Sequence, residues 1–157
     1  MKITKLVKTS LGFVLMAVLI VSAAGCKKSK TQPNNNNNSL YGGWYEVKTV
    51  SNMQRTIYFE PNTNKFIMTI AQYSTNQTTV STYTGAYVVK SDSLKANITE
   101  EKVVQNNVLI SSKALNFNLF EKGTYSISNN RLNVKYITYP ADGPVKTEAN
   151  FQRQLPD

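Results

Sequence analysis

The chain has 157 residues, with 18 basic and 9 acidic side chains, a formal net charge of +9, no histidine and one cysteine. Without histidine, Ser-His-Asp and Cys-His catalytic arrangements and histidine-ligated metal sites are excluded. The acidic residues are scattered and no glycine-rich phosphate loop occurs. The composition therefore predicts a protein that is not an enzyme and holds no metal or other cofactor.

The first 25 residues have the layout of a secretory signal. A basic segment over 1–8 is followed by an uncharged apolar run over 11–24 that ends in small residues. The only cysteine, Cys26, comes next, in the sequence VSAAGC. This sequence resembles the lipobox of bacterial lipoproteins, in the loose form of Bacteroidetes-type bacteria, with Ala23 where leucine is commoner. The resemblance implies cleavage after Gly25, diacylglycerol and palmitate on Cys26, and attachment to the outer membrane on its periplasmic side.

Two other interpretations of this segment stay open in the sequence. The 17 uncharged residues from Thr9 to Gly25 are close to the shortest stretch that spans a bilayer as a helix, so an uncleaved anchor is one alternative. A cleaved signal that leaves Cys26 as a free, reactive thiol is the other. Lipidation explains best why the single cysteine stands directly after the signal.

Residues 26–39 are predicted to form the lipidated cysteine and a flexible tether. The segment 27–39 contains five consecutive asparagines and, apart from one proline, no apolar side chain, so it cannot bury enough surface to fold. Removal of the signal leaves 15 basic and 9 acidic residues, and the part from Ser39 onward has 12 and 9. Much of the positive charge thus lies beside the anchor, where it favours anionic headgroups. The remaining body lacks the concentrated basic face of a nucleic-acid-binding protein.

Residues 40–157 have the size of one domain and the composition of an all-β protein, rich in Thr, Val, Tyr and Ile. The sequence Pro61-Asn62-Thr63-Asn64 predicts a hairpin turn, and Asn106-Asn107 predicts another in the one stretch, 100–115, that could otherwise be helical. The predicted strands, some of which are expected to merge, are Trp44–Val50, Arg55–Glu60, Lys65–Tyr73, Thr78–Thr84, Gly85–Lys90, Ser93–Thr99, Val103–Ile110, Leu115–Phe120, Gly123–Ser128, Arg131–Thr138 and Val145–Arg153.

An internal repeat predicts two similar hairpins. Residues 85–96 align without gaps on residues 123–134, and each copy begins Gly-x-Tyr and contains a two-residue loop, Ser91-Asp92 or Asn129-Asn130. This loop pairs apolar residues on one face of each hairpin: Val89 with Leu94, Tyr87 with Ala96, Ile127 with Leu132, and Tyr125 with Val134. The other face is polar except for Val88, which is typical of an antiparallel sheet with one buried side.

Many short antiparallel strands joined by tight turns close as a barrel or as a two-sheet sandwich. The sequence GWYEV at 43–47, the late Gly-x-Tyr-x-Ile hairpin and the final strand Ala149–Arg153 resemble lipocalin-like domains of small bacterial lipoproteins. The resemblance implies an antiparallel meander barrel of about eight strands, with a sandwich as the alternative. It also implies that Trp44 closes one end of the barrel beneath Arg153, since a guanidinium over an indole face is a favourable contact.

An eight-stranded barrel either fills its interior with its own side chains or holds one small ligand. The residues predicted to face inward are Tyr45, Val47, Phe66, Met68, Ile70, Tyr87, Val89, Tyr125, Ile127, Val134 and Tyr136. The candidate contacts for a small hydrophobic or amphipathic ligand are Tyr45, Phe66, Met68, Tyr87, Tyr125 and Tyr136. A solid core with an exposed face that docks onto an envelope protein is the alternative. Three acidic residues near strand ends, Glu46, Glu60 and Glu121, are predicted to form solvated surface pairs with the nearby basic residues Lys48, Arg55 and Lys122.

Overall fold

The structure of the protein is a computed structural model that describes residues 39–47 and 51–155. These residues form nine strands: β1 (Gly42–Glu46), β2 (Met53–Phe59), β3 (Lys65–Ser74), β4 (Gln77–Lys90), β5 (Ser93–Gln105), β6 (Val108–Asn118), β7 (Glu121–Ser128), β8 (Arg131–Thr138) and β9 (Val145–Arg153). The predicted signal, Cys26 and the tether up to residue 38 lie outside the described residues. So do residues 48–50 of the first predicted strand.

Eight of the strands close into an antiparallel meander barrel. Each of β1 to β4 pairs with the next strand, β5 pairs with β7, and β7, β8 and β9 then lead back to β1. The seam between β5 and β7 is short: Ser93 pairs with Thr124, and the N–H of Tyr125 donates to the carbonyl of Asp92 at 2.8 Å. Closure removes the unpaired edges that an open sheet would leave. The predicted all-β barrel is confirmed, and the sandwich alternative is wrong.

The ninth strand, β6, extends the sheet beyond the barrel. β6 and β7 occupy successive stretches of one edge of β5, since Asn118 pairs with Asn97 and Thr124 with Ser93. β4 and β5 have 14 and 13 residues, whereas β7 and β8 have 8 each. The longer strands therefore project past the shorter ones. This projection, residues 70–83 and 100–115, is called the flange below.

The two ends of the barrel carry different segments. At one, called the closed end, the loops 60–64, 91–92 and 129–130 surround the segment Ser39–Tyr41, whose Leu40 is buried. At the other, called the flange end, lie the loops 75–76, 106–107 and 139–144. The chain thus enters the barrel at the closed end, and the long strands project from the flange end.

The two repeat hairpins have the predicted register. Val89 pairs with Leu94 in the first and Ile127 with Leu132 in the second. Positive φ angles occur at Ser91 in the first loop and at both asparagines, Asn129 and Asn130, in the second. Ser, unlike Asn or Asp, is uncommon at such an angle, so the first loop places its positive φ at the less favoured of its two residues.

The glycine that opens each repeat lies against the backbone of β5. A Cβ on Gly85 would overlap the carbonyl oxygen of Asn97, and a Cβ on Gly123 would overlap that of Leu94. A glycine inside a strand often marks such a close approach of backbones. The two glycines of the repeat therefore let β4 and β7 approach β5 closely, one from each side.

A chain of aromatic rings crosses the interior of the barrel. It runs from Tyr87 through Phe59, Phe66 and Phe120 to Tyr136, with successive centroid distances of 5.1, 5.2, 5.8 and 5.3 Å. These rings come from β4, β2, β3, the junction of β6 and β7, and β8, and all five are buried. Edge-on and tilted packing at these distances is favourable beyond the burial of area alone. The middle of the barrel is filled by its own side chains.

Three of the residues predicted to face the interior are exposed. Tyr45 and Val47 are 38% and 51% exposed because Trp44 and Glu46 occupy the inward positions of β1. Val89 lies on the predicted face but at the rim of the closed end, where no strand covers it. The other predicted residues lie in the core or pack against it: Phe66, Met68, Tyr87, Val134 and Tyr136 are buried, and Ile70, Tyr125 and Ile127 are partly buried.

The expected merging of predicted strands occurs, and one predicted strand is wrong. The segments 78–84 and 85–90 form the single strand β4, because a bulge between Thr84 and Gly85 carries the pairing with β5 past the glycine. The predicted strand Val103–Ile110 is interrupted by a turn, where Asn106 and Asn107 have φ angles of 48° and 67°. The turn signal at these asparagines outweighs the apolar residues on either side of it.

Candidate functional site

The closed end is held by Trp44 and Arg153, which are register partners on β1 and β9. The guanidinium carbon of Arg153 lies 4.2 Å from the centroid of the Trp44 ring, the contact that the family resemblance implies. Arg153 donates hydrogen bonds to the carbonyls of Ser39 and Tyr41, and the indole Nε1 donates to the carbonyl of Leu40 at 2.8 Å. Two side chains thus fix the backbone of the entering segment across the end of the barrel.

Burial lowers the pKa of Arg153, because the cation loses water at this position. Its Nε is buried without a hydrogen-bond partner among the described residues. The indole face beneath the guanidinium and the two carbonyl acceptors offset this loss of hydration. The arrangement is a structural clamp.

An open depression of about 430 Å³ lies beside this clamp at the closed end. It is lined by Ser39, Leu40, Tyr41, Asn64, Tyr87, Val88, Val89 and Tyr125. The hydroxyl of Tyr87 donates to the carbonyl of Glu60 at 3.0 Å. Burial and the nearby Tyr41 and Glu60 raise the pKa of Tyr87 to about 12. The depression is therefore lined by uncharged groups, of which about as many are polar as apolar.

An ion pair lies inside the barrel, toward the flange end. Glu46 on β1 and Arg55 on β2 bond through both carboxylate oxygens, with side-chain exposures of 11% and 20%. The guanidinium of Arg55 also lies 5.5 Å from the centroid of the Phe151 ring on β9. Burial lowers the pKa of Arg55, but hydrogen bonding and the charge of Glu46, with Tyr136, raise it by more, so the net pKa is raised. The prediction that Glu46 and Arg55 each belong to a solvated surface pair is wrong, because both residues occupy inward positions of their strands and bond to each other.

A second charged cluster lies on the inner face of the flange. Tyr83, Glu101 and Lys113 come from neighbouring positions on β4, β5 and β6, and the Lys113 Nζ lies 2.7 Å from a Glu101 oxygen. Hydrogen bonds from Lys113 and Tyr83 lower the pKa of Glu101. Burial and hydrogen bonding to Glu101 raise the pKa of Tyr83 to about 12. The carboxylate is thus held ionised by its partners and the phenol is held neutral.

A second open depression, of about 400 Å³, lies at the flange end. It is lined by Asn52, Met53, Gln72, Tyr73, Ser74, Gln77 and Thr79. The lining consists of neutral amides and hydroxyls beside one thioether and one aromatic ring. Such groups hydrogen-bond a neutral polar molecule and offer no charge for an ionic one.

A third open depression, of about 510 Å³, lies on the outer face of β7, β8 and β9. Its lining is Ser126, Ser128, Asn129, Arg131, Asn133 and Gln152. The amide of Asn133 donates to Glu148 at 2.6 Å and to Asn150 at 2.9 Å. The polar side chains of this face therefore bond to one another along the sheet.

The predicted ligand contacts do not form one site. Tyr87 and Tyr125 both line the depression at the closed end, but Phe66, Met68 and Tyr136 are buried in the packed core and Tyr45 is on the outer face. The sequence analysis missed the inward pair of Glu46 and Arg55. In the sequence, Trp44 and Glu46 alternate with Tyr45, so either face of β1 could be the buried one. Only the pairing with β2 shows that Arg55 lies beside the carboxylate of Glu46.

Among the described residues no group of three or more acidic or cysteine side chains could hold a metal ion. Residues 39–47 and 51–155 also contain no helix with the length and apolarity that a bilayer crossing requires. Comparison of the chain with models of known protein families, with curated proteins and with solved structures finds no match.

Proposed function

We propose that this chain is a lipid-anchored protein of the bacterial cell envelope, with a lipocalin-like barrel that serves as a packed scaffold for binding at its surface. We favour a packed scaffold over a barrel with an internal ligand cavity because of the chain of aromatic rings from Tyr87 to Tyr136. Its rings meet at 5.1–5.8 Å across the barrel. A ligand of drug-like size needs a pocket of roughly 300 Å³ or more. These rings fill the interior of the barrel, where such a pocket would lie.

The flange offers the surface that best suits a protein partner. β6 has 11 residues and, among the described strands, pairs only with β5, so one of its edges has free backbone groups. Val108, Leu109 and Ile110 stand consecutively at its start, and each is more than half exposed. An exposed edge of this kind accepts an extended segment of another protein as an added strand. The proposed partner is such a segment of an envelope protein.

A neutral polar ligand is a second candidate, favoured by the depression at the flange end. Its neutral amide and hydroxyl lining suits a small hydrogen-bonding molecule better than the hydrophobic or amphipathic ligand that the sequence predicts. Native mass spectrometry of the protein after incubation with a neutral oligosaccharide mixture tests this candidate. A bound mass that is lost in Gln72→Ala, but kept in the distant Ser126→Ala, supports it, and the absence of any bound mass removes it.

The anchor is tested by metabolic labelling with radioactive palmitate in a bacterial host. The full chain is expected to incorporate label, and Cys26→Ala is expected to incorporate none and to accumulate as unprocessed precursor. Ser22→Ala is a suitable control because it alters the signal without touching the lipidated residue. Equal labelling of the Cys26→Ala chain, or no labelling of the unaltered chain, contradicts the proposed anchor.

The binding edge is tested by a photo-crosslinking amino acid placed at Ser112, in the exposed middle of β6. We expect adducts with one envelope protein in intact cells, and their loss when Ile110→Pro removes a backbone donor from the edge. The same crosslinker at Lys135, on the outer face of β8, is the matched control. Monomer alone at position 112, or equal adducts at both positions, contradicts the interaction.

A further inference from the structure

We infer that the closed end of the barrel lies on the surface of an anionic bilayer, so that the flange is presented to the aqueous phase. This inference rests on the proposed lipid anchor at Cys26. It adds to that proposal a defined protein surface, made of Tyr41, Val88, Val89, Lys90 and Lys95, and a defined orientation of the barrel.

The path of the chain brings the closed end near the membrane. Ser39 lies at this end, and Arg153 bonds its carbonyl and that of Tyr41. The tether that the sequence predicts over 27–39 has 13 residues, a length that corresponds to roughly 20 Å on average for a coil. The 14 residues of β4, at about 3.3 Å each and tilted as in a barrel, place the flange end roughly 35 Å further away. The closed end is therefore the part of the barrel that the anchor holds at the bilayer.

The exposed side chains at this end are those that suit a membrane interface. Tyr41 is 50% exposed and Val88 is 65% exposed, and both line the open depression of the closed end together with Val89. A tyrosine places an apolar ring and a polar hydroxyl at the level of the headgroups. Val88 is the one large apolar residue on the outer face of its hairpin, and most of its surface is uncovered.

The charge around these residues has the sign that anionic lipids attract. Lys95 is the register partner of Val88, and Lys90 ends the same strand. The closed end exposes four basic side chains, Lys65, Lys90, Lys95 and Arg131, against the acidic Glu60 and Asp92. Each basic residue near an anionic surface adds a favourable electrostatic attraction to the headgroups. Apolar residues are exposed at the flange as well. There, however, the positive charge of Lys113 is balanced by its ion pair with Glu101, so it attracts anionic lipids less.

The single cysteine allows a direct measurement of orientation. Because Cys26 is the only cysteine and carries lipid in the proposed protein, a cysteine introduced elsewhere is the only free thiol. Val88→Cys and, as the matched control on the flange, Ile110→Cys are each labelled with an environment-sensitive fluorophore. The full lipidated proteins are then placed in vesicles of phosphatidylethanolamine and phosphatidylglycerol that contain spin-labelled lipid.

We expect the label at position 88 to shift to shorter wavelength and to be quenched at least twofold more than the label at position 110. The double change Lys90→Glu and Lys95→Glu is expected to abolish this difference, and replacing phosphatidylglycerol with phosphatidylcholine is expected to weaken it. Equal quenching at both positions, or stronger quenching at position 110, overturns the inference.

The same samples separate failure of this inference from failure of the anchor. If the chain is not lipidated, Cys26 reacts with the fluorophore in the unaltered protein, whether or not an uncleaved apolar segment makes the protein sediment with vesicles. If the chain is lipidated and sediments, but the label at position 88 stays in water, the anchor stands and the proposed orientation is wrong.

Discussion

Arg153 and Trp44 stack in the barrel wall with the guanidinium carbon 4.2 Å from the indole centroid, although they lie near opposite ends of the described chain. The same arginine donates to two carbonyls of the entering segment, and the tryptophan donates to the carbonyl between them. The start and the end of the domain are therefore joined through side chains as well as through the pairing of β1 with β9. Loss of either side chain should therefore weaken the attachment of both the start and the end of the domain.

We expect Arg153→Ala to lower the free energy of unfolding by about 2–3 kcal/mol, because it removes a partly buried cation–π contact and charged hydrogen bonds. Urea unfolding of the soluble chain from residue 39 measures this. Arg131→Ala, an exposed arginine near the same end, is expected to change stability by less than about 0.5 kcal/mol. Equal losses in the two variants would show that the clamp contributes nothing.

The inward pair of Glu46 and Arg55 should respond asymmetrically to substitution. Glu46→Gln leaves a partly buried guanidinium without its counter-charge and is expected to cost about 2–3 kcal/mol, below the range for a fully buried pair. The double change Glu46→Gln and Arg55→Met is expected to cost less than Glu46→Gln alone, because it also removes the unpaired cation. A double-mutant cycle in urea measures the coupling. Additive losses would contradict a direct interaction inside the barrel.

The glycines of the repeat should not tolerate a methyl group. A Cβ on Gly85 or Gly123 would overlap a carbonyl oxygen of β5, and on Gly123 it would also lie 2.9 Å from the Cβ of Phe120. We expect each alanine variant to lose about 3 kcal/mol or more, because backbone must move to accept it. Gly143→Ala is the comparison: no atom lies within 4 Å of its added Cβ, so only its positive φ of 121° is penalised. A smaller loss at Gly85 than at Gly143 would contradict the packing.

Alkaline pH should destabilise the barrel through two tyrosines. The pKa values of Tyr83 and Tyr87 are raised from 10.0 to about 12 in the folded chain. Above pH 10 the unfolded chain therefore binds fewer protons than the folded one, and stability falls as pH rises toward 12. Below pH 10 both states are protonated and the contribution is fully present. Urea unfolding across this range is expected to show a smaller slope in Tyr87→Phe, and an unchanged slope would refute the shift.

The hairpins were predictable because their determinants are local. The two-residue loops fix the register of the strands on either side, so the pairs Val89 with Leu94 and Ile127 with Leu132 follow from turn chemistry and alternation alone. The two asparagines at 106 and 107 likewise mark the end of β5. A closed barrel followed from the number of short strands together with the family resemblance.

The candidate sites were less predictable because they depend on neighbours distant in sequence. Whether Tyr45 or Glu46 faces inward depends on Arg55 and on the arginine at the end of β9, neither of which is visible in the pattern of β1. Val89 has the predicted face, but its exposure depends on where the rim of the barrel falls. The packed interior depends on five rings from five places in the chain that meet only after closure.

The sequence by itself determined the all-β class, the turns, the register of the repeat hairpins and the resemblance of the first 26 residues to a lipoprotein signal, since each depends on residues a few positions apart. Only the tertiary structure decided that the interior is filled, that Glu46 and Arg55 pair inside it, and that β4, β5 and β6 project as a flange. These features depend on which strands become neighbours when the sheet closes, and on differences in strand length that matter only once the strands stand side by side.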